Sequence, residues 1–136
     1  MTARKVLVIG SGVAGLVAAL ESVDAGHEVT LLTKSDLATS NTRFAQGGVA
    51  VVLGRDDSVA EHVADTLVAG AGLSDPDTVG ILCFEGPDAM RELIDRGVQF
   101  DMHDGELAHG LEAAHSHARI LHSGGDATGA GIAYAL

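Results

Sequence analysis

The sequence predicts an α/β fold of the doubly wound type, in which parallel strands alternate with helices, and three observations predict it. A short apolar run, Val6-Leu-Val-Ile9, breaks into glycines at positions 10, 12 and 15. Apolar residues then recur at Val13, Leu16, Val17, Leu20 and Val23, one face of a helix, with Gly26 as its stop. A second apolar stretch, residues 28–33, follows at once. Strand, glycine turn, helix and strand within about 30 residues make the first βαβ crossover of such a fold.

The turn between the first strand and the helix is Gly10-Ser11-Gly12-Val13-Ala14-Gly15. Gly10 permits the tight turn, Gly12 lets a pyrophosphate approach the backbone, and Gly15 lets the helix pack close to its strand. Free amide N–H groups at the helix start then face the anion. These six residues are the candidate phosphate cradle of a dinucleotide. Where the second strand ends, nicotinamide enzymes of this type carry Asp or Glu for the ribose hydroxyls, but here Thr33-Lys34 stands instead. A lysine donates and cannot accept, so Lys34 either lies against adenine or meets a phosphate, or is a solvated strand-end lysine.

Residues 35–48 have no period of 2 or 3.6 and are rich in small polar side chains, which reads as a long loop lying along a cofactor or as a mobile surface segment. Asp57-Ser58 with Glu61 resembles a capping box, and Val59, Val63 and Leu67 mark a helix that stops near Gly70 and Gly72. Asp75-Pro76 opens another helix toward Phe84; Gly86-Pro87 is expected to interrupt it, with a second helix running on to Gly97. Cys83, set among Ile81, Leu82 and Phe84, reads as a core thiol rather than a nucleophile. Residues 98–101 are expected to form a short strand. Five of the seven histidines then fall between His103 and His122, but no carboxylate spacing completes a recognised metal cluster, and no metal site is assigned. Glu112 and Arg119 fit a substrate-facing loop better, because small amphoteric substrates need partners of both signs. A glycine turn at 124–129 leads into a last helix over 130–136. Two or three strands are too few for a doubly wound sheet, so the chain is expected to be the front part of a longer protein.

Composition narrows the function class. A hydrophobic share of 46% in 136 residues allows a real core. Nineteen acidic residues against eight basic ones, a net charge of −11, oppose binding to nucleic acid or to an anionic membrane. Three Phe, one Tyr and no Trp leave no platform for stacking bases. One cysteine excludes an intrachain disulfide, the start lacks a secretory apolar region, and no run reaches the length of about 18 apolar residues that a spanning helix needs. A cytoplasmic protein is the expectation.

Three segments together resemble one family: Val8-Ile-Gly10-Ser-Gly12-Val-Ala-Gly15, then Asn41-Thr42-Arg43-Phe44-Ala45-Gln46-Gly47-Gly48, then His115-Ser-His-Ala-Arg119-Ile-Leu-His122 running into Gly125-Asp126-Ala-Thr128-Gly129. The chain resembles the amino-terminal part of the L-aspartate oxidases, within the wider group that includes the flavoprotein subunits of succinate dehydrogenase and fumarate reductase. The likeness runs over essentially the whole chain, and residues 57–73 match the aspartate oxidase branch in particular. The resemblance implies an FAD-binding, Rossmann-like doubly wound domain of which residues 1–136 are the amino-terminal part, the remainder and a substrate-capping domain lying outside. It implies oxidation of L-aspartate to iminoaspartate, reoxidation by oxygen or fumarate, and a product passed toward quinolinate and NAD, with quinolinate synthase as pathway partner. Position by position, residues 10–15 would hold the pyrophosphate, Lys34 the adenosine end and residues 41–48 the flavin side, while Glu112 falls where the family has a glutamate that orients the substrate amino group. The respiratory relatives carry a histidine covalently joined to flavin at the place of Asn41, so a noncovalent FAD is expected here. Around Glu112 the family reads Thr-Arg-Glu-Gly-Gly-His-Ser; this chain reads Gly110-Leu-Glu-Ala-Ala-His-Ser116. The family's arginine base and its ligands for the substrate carboxylates correspond to positions after residue 136.

Overall fold

The computed structural model describes residues 2–37 and 39–136. The opening crossover is as the sequence predicts. Strand β1 (Lys5–Ile9) and strand β2 (Glu28–Leu32) pair in parallel, in register from Lys5 opposite Glu28 to Ile9 opposite Leu32, and helix α1 (Val13–Asp24) joins them. The amide of Gly10 donates to the Leu32 carbonyl at 2.8 Å, so the ladder continues into the glycine turn. Gly10 itself sits at φ +115°, a conformation that side chains disfavour. The other end of α1 closes as a glycine stop should: Gly26 is at φ +81°, and the His27 amide reaches back to the Ser22 carbonyl at 3.0 Å.

After the long loop comes β3 (Val49–Ala50), which pairs antiparallel with β7 (Ile120–Leu121); β7 pairs in turn with β6 (His109–Gly110), giving the order β3-β7-β6. Between them β4 (Met102–His103) and β5 (Glu106–Leu107) form a hairpin. Its two-residue turn, Asp104-Gly105, has positive φ at both positions (51° and 87°), the requirement of a turn that follows the strand twist. Helix α2 (Val59–Ala69) starts with Ser58 as N-cap: its Oγ accepts the Glu61 amide at 3.2 Å and donates to the Glu61 carboxylate at 2.8 Å.

Two expectations are corrected. Residues 76–95 form one helix, α3 (Pro76–Asp95), with Pro87 inside it, where the sequence suggested two. Val79, Cys83 and Met90 are buried along one stripe that crosses the proline, so packing holds the helix through a site where local propensity would end it. Residues 98–101 join no sheet. Val98 and Phe100 are buried and Gln99 is exposed, which is the alternation that suggested a strand, yet the segment's links to the β6–β7 region are single bonds such as Asp101 N–H to the His122 carbonyl (2.7 Å). The core gathers Val51, Met90, Val98, Phe100, Leu121 and Ile132, the last from helix α4 (Thr128–Ala135). Cys83 is buried at 2% exposure, as expected of a core thiol. No helix among the described residues is long and apolar enough to cross a membrane.

Candidate cofactor site and the chain around it

At the carboxyl ends of β1 and β2 lies a cleft of about 610 Å³, the place where open α/β sheets bind ligands. Three segments line it: residues 9–12, residues 32–34, and Thr39, Ser40, Asn41 and Phe44 from the long loop. Ser11 Oγ and Thr33 Oγ1 lie 3.0 Å apart and tie the two strand ends together. No acidic side chain lines the cleft among the described residues, and Lys34 is its one charged group there. In a chain of net charge −11 that is a local inversion of sign, suited to an anion.

The glycines divide into two kinds. A Cβ on Gly15 would run into the Gly10 carbonyl oxygen and stand 3.0 Å from its carbon, so Gly15 is demanded by the chain's own packing. A Cβ on Gly12 would meet nothing closer than Thr42 Oγ1 at 3.5 Å, an ordinary contact, and the Gly12 backbone is extended (φ −75°, ψ 172°). Neither sterics nor conformation requires glycine there, and Gly12 itself lines the cleft. The first internal bond of α1 is Leu16 N–H to the Gly12 carbonyl (3.0 Å), so the amides of Ala14 and Gly15 precede the helical ladder. The Val13 amide is taken by Thr42 Oγ1 at 2.9 Å. A diphosphate therefore fits the residues present.

The rest of the long loop is fixed from the far end of the chain. Asp126 Oδ1 accepts the Gly47 amide at 2.9 Å, and the Gly129 amide donates to the Ala45 carbonyl at 3.2 Å. A Cβ on Gly129 would strike the Thr42 carbonyl and stand 2.8 Å from Ala45 Cβ. Val13, Thr42, Ala45, Gln46, Gly47 and Gly48 face a second hollow of about 220 Å³ closed by the start of α4. Arg43 lines neither of these and borders a separate hollow with Leu16, Leu37 and Tyr134. Of the predicted cofactor residues, Gly10, Ser11, Gly12, Lys34, Asn41 and Phe44 thus share the main cleft. Ala14 is exposed beside it, and Gly15 acts through packing.

The expected substrate-facing pair separates. Glu112 is half-exposed and bonds His122, Nε2 to Oε1 at 3.0 Å. Arg119 is buried at 1% exposure: its Nε and Nη2 donate to the two Asp57 oxygens at 2.8 and 2.7 Å, and its Nη1 donates to Asp65 at 2.7 Å. It is a structural cation, because both carboxylates consume it. Burial pushes Asp57 up, but bonds from Arg119 and the Ser58 amide outweigh that and leave it below the ordinary aspartate value. Asp65, which accepts the amide and hydroxyl of Ser116 as well as Arg119, is held down to about 2. Burial and, after it, the nearby Arg119 charge hold His62 below the ordinary histidine value. Asp57, Glu61 and His117 come within 4.8 Å of one another, but Asp57 is spent on Arg119 and Ser58, and Glu61 on Ser58 and His117. Asp57 carried a sequence signal only as a helix-capping residue, and Asp65 carried none.

Residues 5–136 match the FAD binding domain family. The chain belongs to that family. FAD is the cofactor of this domain, and the doubly wound reading of its opening crossover agrees with the solved structures it resembles. Among curated proteins it is similar to the L-aspartate oxidase of Streptomyces coelicolor, 54% identical over 135 residues, covering 98% of this chain and 23% of that protein. The chloroplastic L-aspartate oxidase of Oryza sativa is 51% identical over 131 residues, covering 96% and 20%. Among solved structures, the apo Mycobacterium smegmatis Sdh1 complex aligns with a TM-score of 0.87 at 33% identity, over 98% of this chain and 24% of that one. A structure of the E. coli quinol fumarate reductase FrdA aligns at the same TM-score with 25% identity and the same coverage. This FAD-binding domain chain spans about a quarter of the length of the relatives it matches.

Proposed function

We propose that this chain is the FAD-binding front portion of an L-aspartate oxidase, which converts L-aspartate to iminoaspartate and passes electrons to oxygen or fumarate. The product would feed quinolinate and NAD synthesis, with quinolinate synthase as the next enzyme. One observation carries the reading: identity is 54% to an L-aspartate oxidase but 33% and 25% to the Sdh1 and FrdA chains of equal fold similarity.

Within the reading, Gly10 makes the turn, the amides of Ser11, Gly12, Ala14 and Gly15 would donate to the FAD diphosphate, and Lys34 would meet the adenosine end. The segment from Asn41 to Gly48 lies along the flavin, held by Thr42 and by Asp126. Asn41 has no ring nitrogen to form a covalent link, so FAD is bound noncovalently. Bound there, FAD supplies a two-electron acceptor for the substrate's Cα–H bond. Glu112 presents a carboxylate to the substrate ammonium. Ala114 keeps φ +73° where the family has a glycine, so the loop bearing Glu112 retains a left-handed backbone despite the substitution.

The alternative, a succinate or fumarate oxidoreductase, draws on the fold match to Sdh1 and FrdA. The test is to add L-aspartate or succinate without oxygen to the FAD-loaded full-length gene product and follow the flavin absorbance. Bleaching by L-aspartate supports the proposal. Bleaching by succinate alone supports the alternative, and bleaching by neither leaves a noncatalytic binding domain.

A further inference from the structure

We propose that His122 is a positioning residue that holds the Glu112 carboxylate for an ammonium-bearing substrate, an inference that rests on the oxidase reading above. The His122 ring occupies a slot walled by two glycines. A Cβ on Gly110 would stand 3.3 Å from its Cε1, and the ring is the nearest atom group that such a Cβ would meet. A Cβ on Gly48 would stand 2.9 Å from Nε2, besides pressing on Ile120 and the Leu121 carbonyl. The backbone of the ring is fixed as well, since the His122 carbonyl accepts the Asp101 amide at 2.7 Å.

From that slot Nε2 reaches Glu112 Oε1 at 3.0 Å. An ionised carboxylate only accepts, so Nε2 carries the proton and donates. The Glu112 side chain is 53% exposed, against 28% for His122, so the imidazole is the anchored partner and the carboxylate the reachable one. A free glutamate on a surface loop loses rotamer entropy on engaging a ligand. The bond to His122 removes that freedom beforehand and leaves Oε2 to accept from an ammonium group. Gly48, one wall of the slot, ends the segment assigned to the flavin side, which puts the carboxylate next to the cofactor loop rather than elsewhere on the surface. The pair therefore favours amino dicarboxylates over dicarboxylates that lack the amino group.

The test uses the FAD-loaded full-length gene product carrying His122→Phe, which fills the slot without an N–H; His122→Gln, which restores a donor; Glu112→Gln; and the Glu112→Gln/His122→Phe double variant. KM and kcat for L-aspartate are measured, together with the dissociation constants of D-aspartate and succinate from flavin absorbance perturbation. In His122→Phe, KM for L-aspartate and the D-aspartate constant rise about tenfold, while the succinate constant and the FAD content stay within about twofold of the wild type. His122→Gln recovers most of the loss, and the double variant is no worse than Glu112→Gln alone. Additive losses, or equal weakening of succinate and D-aspartate, overturn the proposal. Should His122→Phe not fold, His122→Leu, which also lacks an N–H, alone and combined with Glu112→Gln, decides by the same criterion of additivity. A wild-type protein bleached by succinate and not by L-aspartate refutes the oxidase reading instead, and the D-aspartate and succinate constants still report on the pair.

Discussion

Replacing Gly12 and Gly15 separately by alanine separates ligand approach from chain packing within one turn. At Gly12 the added methyl meets Thr42 Oγ1 at 3.5 Å and nothing closer, and the backbone is already extended. The unfolded chain loses freedom, a gain of about 0.4–1 kcal/mol, offset by a similar cost because alanine is a poor N-cap. The apoprotein's stability should thus change by less than about 0.5 kcal/mol. Bound FAD pays instead: the methyl forces the diphosphate off the helix amides, and losing one or two charge-assisted bonds raises Kd about tenfold to a hundredfold. Gly15→Ala does the reverse to the apoprotein. Its Cβ runs into the Gly10 carbonyl, and α1 must move off the turn at a cost of about 1–3 kcal/mol or more. Urea unfolding of the apoproteins and FAD titration of each variant measure the two effects. FAD affinity within about twofold of wild type in Gly12→Ala refutes the placement of the diphosphate at this turn, and equal apoprotein stability of the two variants refutes the packing argument.

Arg119→Met strands the buried Asp57 carboxylate and should cost about 3–5 kcal/mol in urea unfolding; a loss below about 1 kcal/mol would show that the pair is not buried in solution. Arg119→Met combined with Asp57→Asn and Asp65→Asn should recover most of that loss. Acid should weaken the fold in two stages. His62 has its value lowered below 6.5, so the stability it contributes is present above that pH and lost as pH falls through it. Asp65, lowered from 3.8 to about 2, contributes above pH 3.8 and loses that contribution as pH falls toward 2. Asp65→Asn should flatten the second stage of a pH series of unfolding midpoints, and His62→Phe the first. Ala114→Gly should stabilise the protein by about 0.5 kcal/mol, because relief of the roughly 1–2 kcal/mol that φ +73° costs a non-glycine residue is offset by about 0.4–1 kcal/mol for the greater freedom of glycine in the unfolded chain; a lower unfolding midpoint would refute the strain.

What could be read from the sequence was what is encoded locally. The β1–α1–β2 crossover lies within residues 5–32, and its signals, glycine spacing and a 3.6 period, act over that same span. The Ser58 cap and the Gly26 stop are local in the same sense, and each sits where its motif predicts. Structure departs from the local signal where distant partners override local preference. Pro87 is a strong stop signal on its own, but Val79, Cys83 and Met90 on both sides of it are buried together, and no local rule counts that gain. Arg119 looked available because its partners stand 62 and 54 positions away, in a stretch that reads as an ordinary capped helix. The Asp104-Gly105 hairpin is local in the same way as the cap and the glycine stop, its dipeptide being among the strongest short-range signals for that turn.

The same reasoning explains why the long loop could be assigned to a cofactor only by resemblance. Residues 41–48 have no periodicity, so no internal rule sets their shape. Their shape is set by two outside supports: the Val13 amide on Thr42, and the Asp126-Ala-Thr128-Gly129 turn, which bonds Gly47 and Ala45 and comes so close to Thr42 that a Cβ at position 129 has no room. Two motifs that read as separate glycine-rich segments about 80 residues apart are therefore one physical unit, the second serving as the mould for the first. The mould also fixes Gly48 against β7 and His122. The loop proposed to lie along the flavin and the carboxylate proposed to meet the substrate are consequently referred to β7 and the His122 that follows it, which is how a chain with no helix or strand among the described residues of 33–48 can hold a cofactor and a substrate group in a constant relation.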